Sequence, residues 1–137
     1  MKQLFNTRLN TGLILLRITV GTLLFTHGLI KITNGVEGIA NMLTSKGLPA
    51  FVAYGVYAGE IIAPILLVIG FRARLAAVVI FINMLVVFFI ARPQDLFALN
   101  AMGLWEMELA AFYLFGSIIL FFTGAGKYAV SKASFWD

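Results

Sequence analysis

The sequence predicts an all-α membrane protein, a four-transmembrane-helix bundle with both termini in the cytoplasm, built as a single domain from residues 1–137. Composition is the first observation behind this prediction. Hydrophobic residues make up 61% of the chain and charged residues 12%, whereas soluble domains carry about 25% charged residues. A soluble protein of this length has too little interior to hide so much apolar surface. The bilayer is therefore the predicted solvent.

Four apolar stretches are the second observation, and each approaches the ~20 residues that a helix needs to cross ~30 Å of hydrocarbon. Backbone groups in lipid must satisfy their own hydrogen bonds, which favours helices, and the run AAVVIFINMLVVFFIA lacks the alternation of a barrel strand. Ile39, Met42 and Leu43 share a helical face between the first two stretches, which indicates a segment in the membrane interface. The predicted transmembrane helices cover about residues 12–33, 51–70, 75–91 and 105–124.

Basic residues predict the orientation, because cytoplasmic segments are enriched in lysine and arginine. Three basic residues fall on one side of the predicted bundle: Lys31, Lys46 and Arg92. Six fall on the other side, with the two termini: Lys2, Arg8, Arg72, Arg74, Lys127 and Lys132. This distribution predicts a multi-pass membrane protein with both termini in the cytoplasm.

The residue inventory excludes several kinds of site. The chain has no cysteine and one histidine, so thiol redox chemistry, disulfides, thiolate metal sites, iron–sulfur clusters and bis-histidine haem are not expected. No metal site is predicted. The net charge of +4 is explained by membrane topology, so the bilayer and not nucleic acid is the expected partner.

Charged side chains inside transmembrane helices are rare and usually face the bundle interior. Helix one carries Arg17, His27 and Lys31. At 100° per residue, Arg17 and Lys31 share a stripe with Gly21 and Gly28, while His27 lies at its edge. Small residues allow close helix packing. The polar face of helix one is therefore predicted to be its packing face, with both glycines in contact with a neighbouring helix.

The remaining polar residues supply candidate partners. Glu60 lies near the middle of helix two, at a depth that Arg17 can reach, which predicts a buried Arg17–Glu60 ion pair. Asn83 of helix three adds a neutral polar group to this predicted network. On the outer side, His27 and Glu108 lie at similar depths and are predicted to share a hydrogen bond, with Lys31 above them.

Each polar residue also has a purely structural interpretation. The Arg17–Glu60 pair could be a clamp that fixes helix register, and His27 could be a satisfied interior histidine. Lys31 could extend along the helix to the membrane surface. Glu106, two residues from Glu108, is expected to be a solvated residue at the start of helix four.

Four motifs in order resemble the DoxX family of small four-helix bacterial membrane proteins. They are LLRITVGTLLFTHGLIKI, the GLP before helix two, GEIIAPILLVIGFRARLAA, and ELAAFYLFGSIILFFTGAGKYAV. The family often continues with Ser, Leu and Asp, where this chain has Ala129, Val130 and Ser131, so any role of that aspartate is missing. The residues that carry the resemblance are Arg17, Gly21, His27, Gly28, Lys31, Glu60, Gly70, Arg74, Glu108, Gly126 and Tyr128.

The resemblance implies a multi-pass protein of the bacterial cytoplasmic (inner) membrane. It also implies an accessory subunit of a quinone-linked oxidoreductase or oxidative-stress system, with a soluble or membrane oxidoreductase as partner. A quinone site needs an apolar slot with polar groups near the carbonyls, and His27, Lys31, Trp105 and Glu108 are the candidates. One alternative is a structural or assembly scaffold, in which the buried charges only specify the bundle. A second is a small dimeric proton-coupled transporter that works through Glu60, which an arginine partner disfavours.

Overall fold

The computed structural model describes residues 2–137, with only the backbone described for residues 2, 4 and 5. This part of the chain is helical, and its only β-type pairing is an isolated bridge between Leu99 and Trp105. Five helices follow one another: α1 (Lys2–Asn34), α2 (Glu37–Ser45), α3 (Ala50–Ile69), α4 (Ala73–Ala91) and α5 (Glu108–Thr123).

Three of these helices are long and apolar enough to cross a membrane: Asn6–Asn34 within α1, then α3 and α4, with 29, 20 and 19 residues. Helix α5 is apolar and has 16 residues, which at 1.5 Å per residue gives about 24 Å. The helical, multi-pass class predicted from composition is therefore confirmed. The fourth crossing and the orientation stay predictions.

Helix α1 begins at Lys2, ten residues before the predicted boundary. The polar residues near its start are part of the helix, and the side chains of two threonines bond backbone carbonyls of the same helix. The hydroxyls of Thr7 and Thr11 donate to carbonyls four residues earlier, at 2.9 and 3.0 Å. Hydropathy marked where the apolar surface starts, whereas the helix itself extends about 15 Å further.

Helices α3 and α4 run antiparallel because the chain reverses tightly at residues 70–72. Gly70 adopts φ 73°, in the left-handed region that glycine favours. The N–H groups of Gly70 and Phe71 donate to the carbonyls of Leu67 and Leu66 at 3.1 and 2.9 Å, a Schellman-type end to the helix. The bounds of both helices differ from the predicted ones by no more than two residues.

Helix α5 begins at Glu108, three residues later than predicted, because the preceding segment forms a turn of its own. The N–H of Glu106 donates to the carbonyl of Ala98 at 3.0 Å. The side-chain oxygen of Asn100 accepts the N–H groups of Met102 and Leu104 at 3.0 Å. Local hydrogen bonding of this kind competes with a helix.

The core lies between α1, α3, α4 and α5. Its fully buried members include Val20, Leu24, Leu67, Ile80 and Leu120. Helix α2 packs separately, burying Leu43 against the start of α3 at one end of the bundle. Large exposed apolar side chains cover the outside of the helices, as expected for a surface in contact with lipid: Leu15, Ile62, Ile82, Phe115 and Phe122.

The bundle has two chemically different ends. The basic end comprises the first turns of α1, residues 70–74 (the turn and the start of α4), and the tail, residues 124–137. The cavity end comprises α2 and the loop at residues 92–107. Five described cations and one carboxylate lie at the basic end. Most acidic residues lie at or near the cavity end.

Candidate functional site

Two glycines of α1 set the register between α1 and α3. A Cβ at Gly21 would lie 2.5 Å from Cγ2 of Val68 and 3.0 Å from the carbonyl oxygen of Pro64. A Cβ at Gly28 would collide with the backbone carbonyl of Glu60. Only glycine permits this approach. The contact at Gly28 brings Glu60 to the level of the last turns of α1.

Glu60 lies on a π-helical turn, Ala58–Ile62, within α3. On the other side of this turn, a Cβ at Gly59 would lie 2.6 Å from Cβ and Cγ of Asn83. The backbone around Glu60 is therefore held between α1 and α4 by one glycine on each side. Single π turns insert one extra residue and are frequent at functional sites.

Three side chains form a polar cluster: Lys31, Glu60 and Asn83. The ammonium of Lys31 donates a hydrogen bond to Oε1 of Glu60, and Nδ2 of Asn83 donates to the same oxygen at 3.2 Å. The Glu60 side chain is 4% exposed and that of Lys31 is 28% exposed. Among the described residues, the buried Oε2 of Glu60 has no hydrogen-bond partner. The cluster thus keeps one acceptor free.

The predicted Arg17–Glu60 pair is wrong, because Lys31 takes the place of Arg17. Arg17 is 3% exposed, and its guanidinium donates to the carbonyl of Ala125 at 2.7 Å and to that of Val68 at 3.4 Å. These carbonyls lie at the C-terminal ends of α5 and α3, where carbonyl groups lack helical partners and attract cations. Arg17 therefore joins two helix ends and does not belong to the polar cluster.

The predicted hydrogen bond between His27 and Glu108 is also wrong. His27 packs edge-on against Tyr113, with ring centroids 6.0 Å apart at 79°. Glu108 is an exposed residue at the first position of α5, and no hydrogen bond joins it to His27 within residues 2–137. Tyr113 is 3% exposed, and its buried hydroxyl has no partner in the described part of the chain. A tyrosine in the middle of an apolar helix was the available signal for this residue.

A cavity of about 620 Å³ lies among the helices at the cavity end. All five helices contribute to its wall, which is mostly apolar; Ile39, Met42 and Leu43 of α2 cover one side. Its polar lining comprises His27, Lys31, Glu60, Asn83, Arg92, Glu106 and Tyr113. The polar cluster and the unpaired hydroxyl of α5 therefore share one space.

Two of the four predicted quinone-site residues line this cavity and two do not. His27 and Lys31 belong to its wall. Glu108 and Trp105 lie outside the lining; Trp105 donates from Nε1 to the carbonyl of Leu96 at 2.9 Å and packs against Phe88. Glu108 and Trp105 were placed by depth along the bundle, and depth does not determine which side of a helix faces the cavity.

An ion-pair cluster borders the cavity toward the aqueous surface. Arg92 contacts the carboxylates of Asp95 at 2.6 Å and Glu106 at 3.0 Å. The hydrogen bond that Arg92 donates to Glu106 raises the pKa of Arg92 above its usual value, burial opposes this, and Asp95 adds to the increase. Glu106, predicted to be only solvated, is therefore half-buried and paired, and it contributes to the cavity wall. Its ion pair across fourteen residues carries no local sequence signal.

Potential metal ligands are sparse in the part of the chain that the structure describes. No group of three or more histidine, cysteine, aspartate or glutamate side chains there could hold a metal ion. The polar groups of the cavity are instead donors and acceptors suited to an organic ligand.

Comparison with known proteins gives one family and one relative. The sequence model of the DoxX family matches residues 12–93, more than half of the chain. A protein of Bacillus subtilis (strain 168), described as "Putative oxidoreductase CatD", is 38% identical over 73 residues. That alignment covers 53% of this chain and 54% of the relative, so the chain spans about half the length of the relative it matches. No solved structure gives a significant match.

Proposed function

We propose that this chain, which belongs to the DoxX family, is an accessory membrane subunit of a quinone-linked oxidoreductase. We further propose that its cavity binds the quinone head group. The relative from Bacillus subtilis carries the word oxidoreductase in its name, which supports the general class. The cavity supports the more specific proposal.

The observation that carries the proposal is a mostly apolar cavity of about 620 Å³ whose wall holds two unsatisfied polar groups. Ligand pockets typically measure about 300–1,000 Å³ and combine apolar walls with a few polar groups. Within the described residues, Oε2 of Glu60 and the hydroxyl of Tyr113 are buried without a partner. A buried unpaired polar group costs about 1–3 kcal/mol. A ligand that bonds to both groups would remove this cost.

The residues of the cavity fit a ring that carries oxygen atoms. A quinone supplies the redox chemistry, since its reduction takes up two electrons and two protons. The Tyr113 hydroxyl can donate a hydrogen bond to one oxygen, and Lys31 and Glu60 can hold a proton close to another. The chain has no cysteine and one histidine, which favours an oxidoreductase partner as the source of electrons.

The charge distribution supports four crossings with the basic end in the cytoplasm of a bacterial cell. Orientation follows the number of lysines and arginines near the ends of the crossings. The sequence places six of them at the basic end and three at the cavity end. This difference favours a cytoplasmic position for the basic end.

The proposal is tested by mass spectrometry of lipids bound to protein purified gently from its own membrane. Glu60→Gln and Tyr113→Phe remove single cavity groups with little change in shape. Glu108→Gln is the matched control, because it neutralises an exposed carboxylate of the same end that does not line the cavity. Wild type and the control should retain quinone, while both cavity variants should retain at least fivefold less.

Three outcomes would contradict the proposal. One is wild-type protein that is free of quinone when prepared from membranes that contain it. Another is equal quinone retention by all variants, which would place any bound quinone outside this cavity. A third is quinone loss in the Glu108→Gln control as large as in the cavity variants.

A second candidate function is that of a structural scaffold, and the position of Arg17 favours it. Arg17 links the ends of α3 and α5 far from the polar cluster, so at least one buried charge has a role in holding the bundle together. A scaffold predicts unfolding in Arg17→Met together with an empty cavity in wild type. The quinone-linked subunit predicts an occupied cavity.

A further inference from the structure

The basic end contains a second concave site, which neither the cavity nor the proposed quinone chemistry uses. It is a cleft of about 290 Å³ between the first turns of α1 and the tail. Every side chain in its wall carries a hydrogen-bonding group, in contrast to the mostly apolar cavity. The wall consists of Gln3, Asn6, Thr7, Asn10, Lys127 and Tyr128.

Hydrogen bonds donated by backbone N–H groups at three points fix the tail that forms one wall of this cleft. The N–H of Lys127 donates to Oδ1 of Asn10 at 2.7 Å. The N–H of Ser131 donates to the carbonyl of Gly70 at 3.2 Å, and the N–H of Arg74 donates to the carbonyl of Trp136 at 3.0 Å. Both walls of the cleft are therefore held in place by the bundle.

Positive charge at the basic end is largely uncompensated. Asp137 is the one acidic residue there; it accepts hydrogen bonds from Ser134 N–H at 2.6 Å and Ser131 Oγ at 2.9 Å, and it lies 3.5 Å from Arg72. Four other cations have no carboxylate partner among the side chains that the structure describes: Arg8, Arg74, Lys127 and Lys132. A negatively charged group is the complement of this surface.

The position of the site along the bundle matches the headgroup layer. If a 20-residue crossing of α1 ends at residue 32, it begins at residue 13, and Asn10 lies about 5 Å beyond the hydrocarbon. Phe135 and Trp136 are exposed at the level where α4 begins. Aromatic residues are enriched at this level of membrane proteins.

We propose that this cleft, with Lys127 in its wall and further cations at the same end of the bundle, binds the headgroup of an anionic glycerophospholipid. Lys127 and the Tyr128 hydroxyl face the phosphate, while Gln3, Asn6 and Thr7 offer amide and hydroxyl groups to a polar headgroup such as glycerol. The cleft is too small and too polar for an acyl chain, which stays beside the exposed apolar surface of the bundle. This site is independent of the proposed function, since it shares no residue with the cavity.

The test measures lipid binding to the purified protein in neutral detergent, with phosphatidylglycerol as the probe and phosphatidylcholine, a zwitterionic lipid without net charge, as the reference. Each lysine near an anionic surface contributes about fivefold in affinity. The double variant Lys127→Gln/Lys132→Gln should therefore bind phosphatidylglycerol about 25-fold more weakly. Lys127→Arg/Lys132→Arg keeps both charges and should bind as wild type does, which separates loss of charge from misfolding.

Lys46→Gln is the matched control, because it removes an exposed lysine from the opposite end. Wild-type affinity in this control supports the proposal, and an equal loss overturns it. Equal binding of the two lipids by wild type overturns the proposal. Binding of free glycerol 3-phosphate as tight as that of phosphatidylglycerol also overturns it, because it would indicate a soluble ligand. A third outcome is that wild type shows no preference for phosphatidylglycerol but binds an acidic soluble protein, and that the double variant loses this binding. The occupant of the site would then be a protein and not a lipid.

Discussion

The ion pair in the polar cluster predicts unequal effects for the removal of its two members. Lys31→Met leaves the carboxylate of Glu60 buried with one remaining donor, Asn83. Breaking a buried ion pair costs about 3–5 kcal/mol. Because the Lys31 side chain is 28% exposed, its attraction for Glu60 is partly screened, and we expect a loss of about 2–4 kcal/mol in the free energy of unfolding.

Glu60→Gln should cost less. The introduced amide can still accept the hydrogen bond from Asn83, and Lys31 lies in the last turn of α1, from which its ammonium can reach the surface. The expected loss is about 1 kcal/mol, near the value of one hydrogen bond. In the double variant no unpaired charge is left, so its stability should be close to that of Glu60→Gln alone.

The assay is reversible unfolding in mixed micelles, in which dodecyl sulfate is titrated and helicity is followed by circular dichroism. Lys46→Met is the matched control, since it replaces an exposed lysine of the same end, and it should change the free energy by no more than about 0.5 kcal/mol. A loss in Glu60→Gln equal to or larger than that in Lys31→Met would refute the reasoning. So would a double variant whose loss is the sum of the two single losses.

Three further predictions concern other parts of the molecule. Arg17→Ala should lower the free energy of unfolding by about 2–4 kcal/mol more than His27→Ala, because it leaves two buried carbonyls without their donor; similar values for both would contradict this. Gly28→Ala should lower the free energy of unfolding by about 1–3 kcal/mol through overpacking. Gly12→Ala, where a Cβ meets open space, should be neutral or stabilising. The dodecyl sulfate titration described above measures both values. Burial raises the pKa of Asp137, but hydrogen bonds from the tail and an arginine outweigh it and lower that pKa below 3.8. Docking of the tail should therefore be stable above that value and weaken as the pH falls through the lowered pKa; hydrogen exchange of the tail, with Asp137→Asn as the undocked reference, measures this.

Hydropathy predicted the helical membrane class and came close to both ends of α3 and α4. It failed at the start of α1, because the first ten residues of this helix are mostly polar and a hydropathy profile detects apolar surface, not helical backbone. It also failed at α5, because hydrogen bonds within the turn before Glu108 are invisible to a hydropathy profile.

The sequence predicted several residues of the candidate site correctly, but it did not predict which of them contact each other. Depth estimates from the middle of each apolar stretch placed Glu60 near Arg17. In the structure, Glu60 lies at the level of Gly28 on α1, because Gly28 contacts the Glu60 carbonyl. Arg17 lies eleven residues before Gly28, about 16 Å away along the helix. Register between helices depends on which small residues meet, and one sequence read by itself does not give that information. Tyr113 and Glu106 were missed because their neighbours in the cavity come from distant parts of the chain.

Two π turns, Ala58–Ile62 in α3 and Val87–Ala91 in α4, are places where these helices can lose one residue and remain helical. A π turn holds one residue more than an α turn. Deleting one residue from Ala58–Ile62 would restore α-helical winding, and the helix on either side would keep its orientation, because the π turn accommodates one inserted residue. The half of α3 that packs against Arg17 would keep its place, while the cavity wall would change only at the turn that carries Glu60. Related chains that lack this residue would then share the bundle but differ in what the cavity accepts.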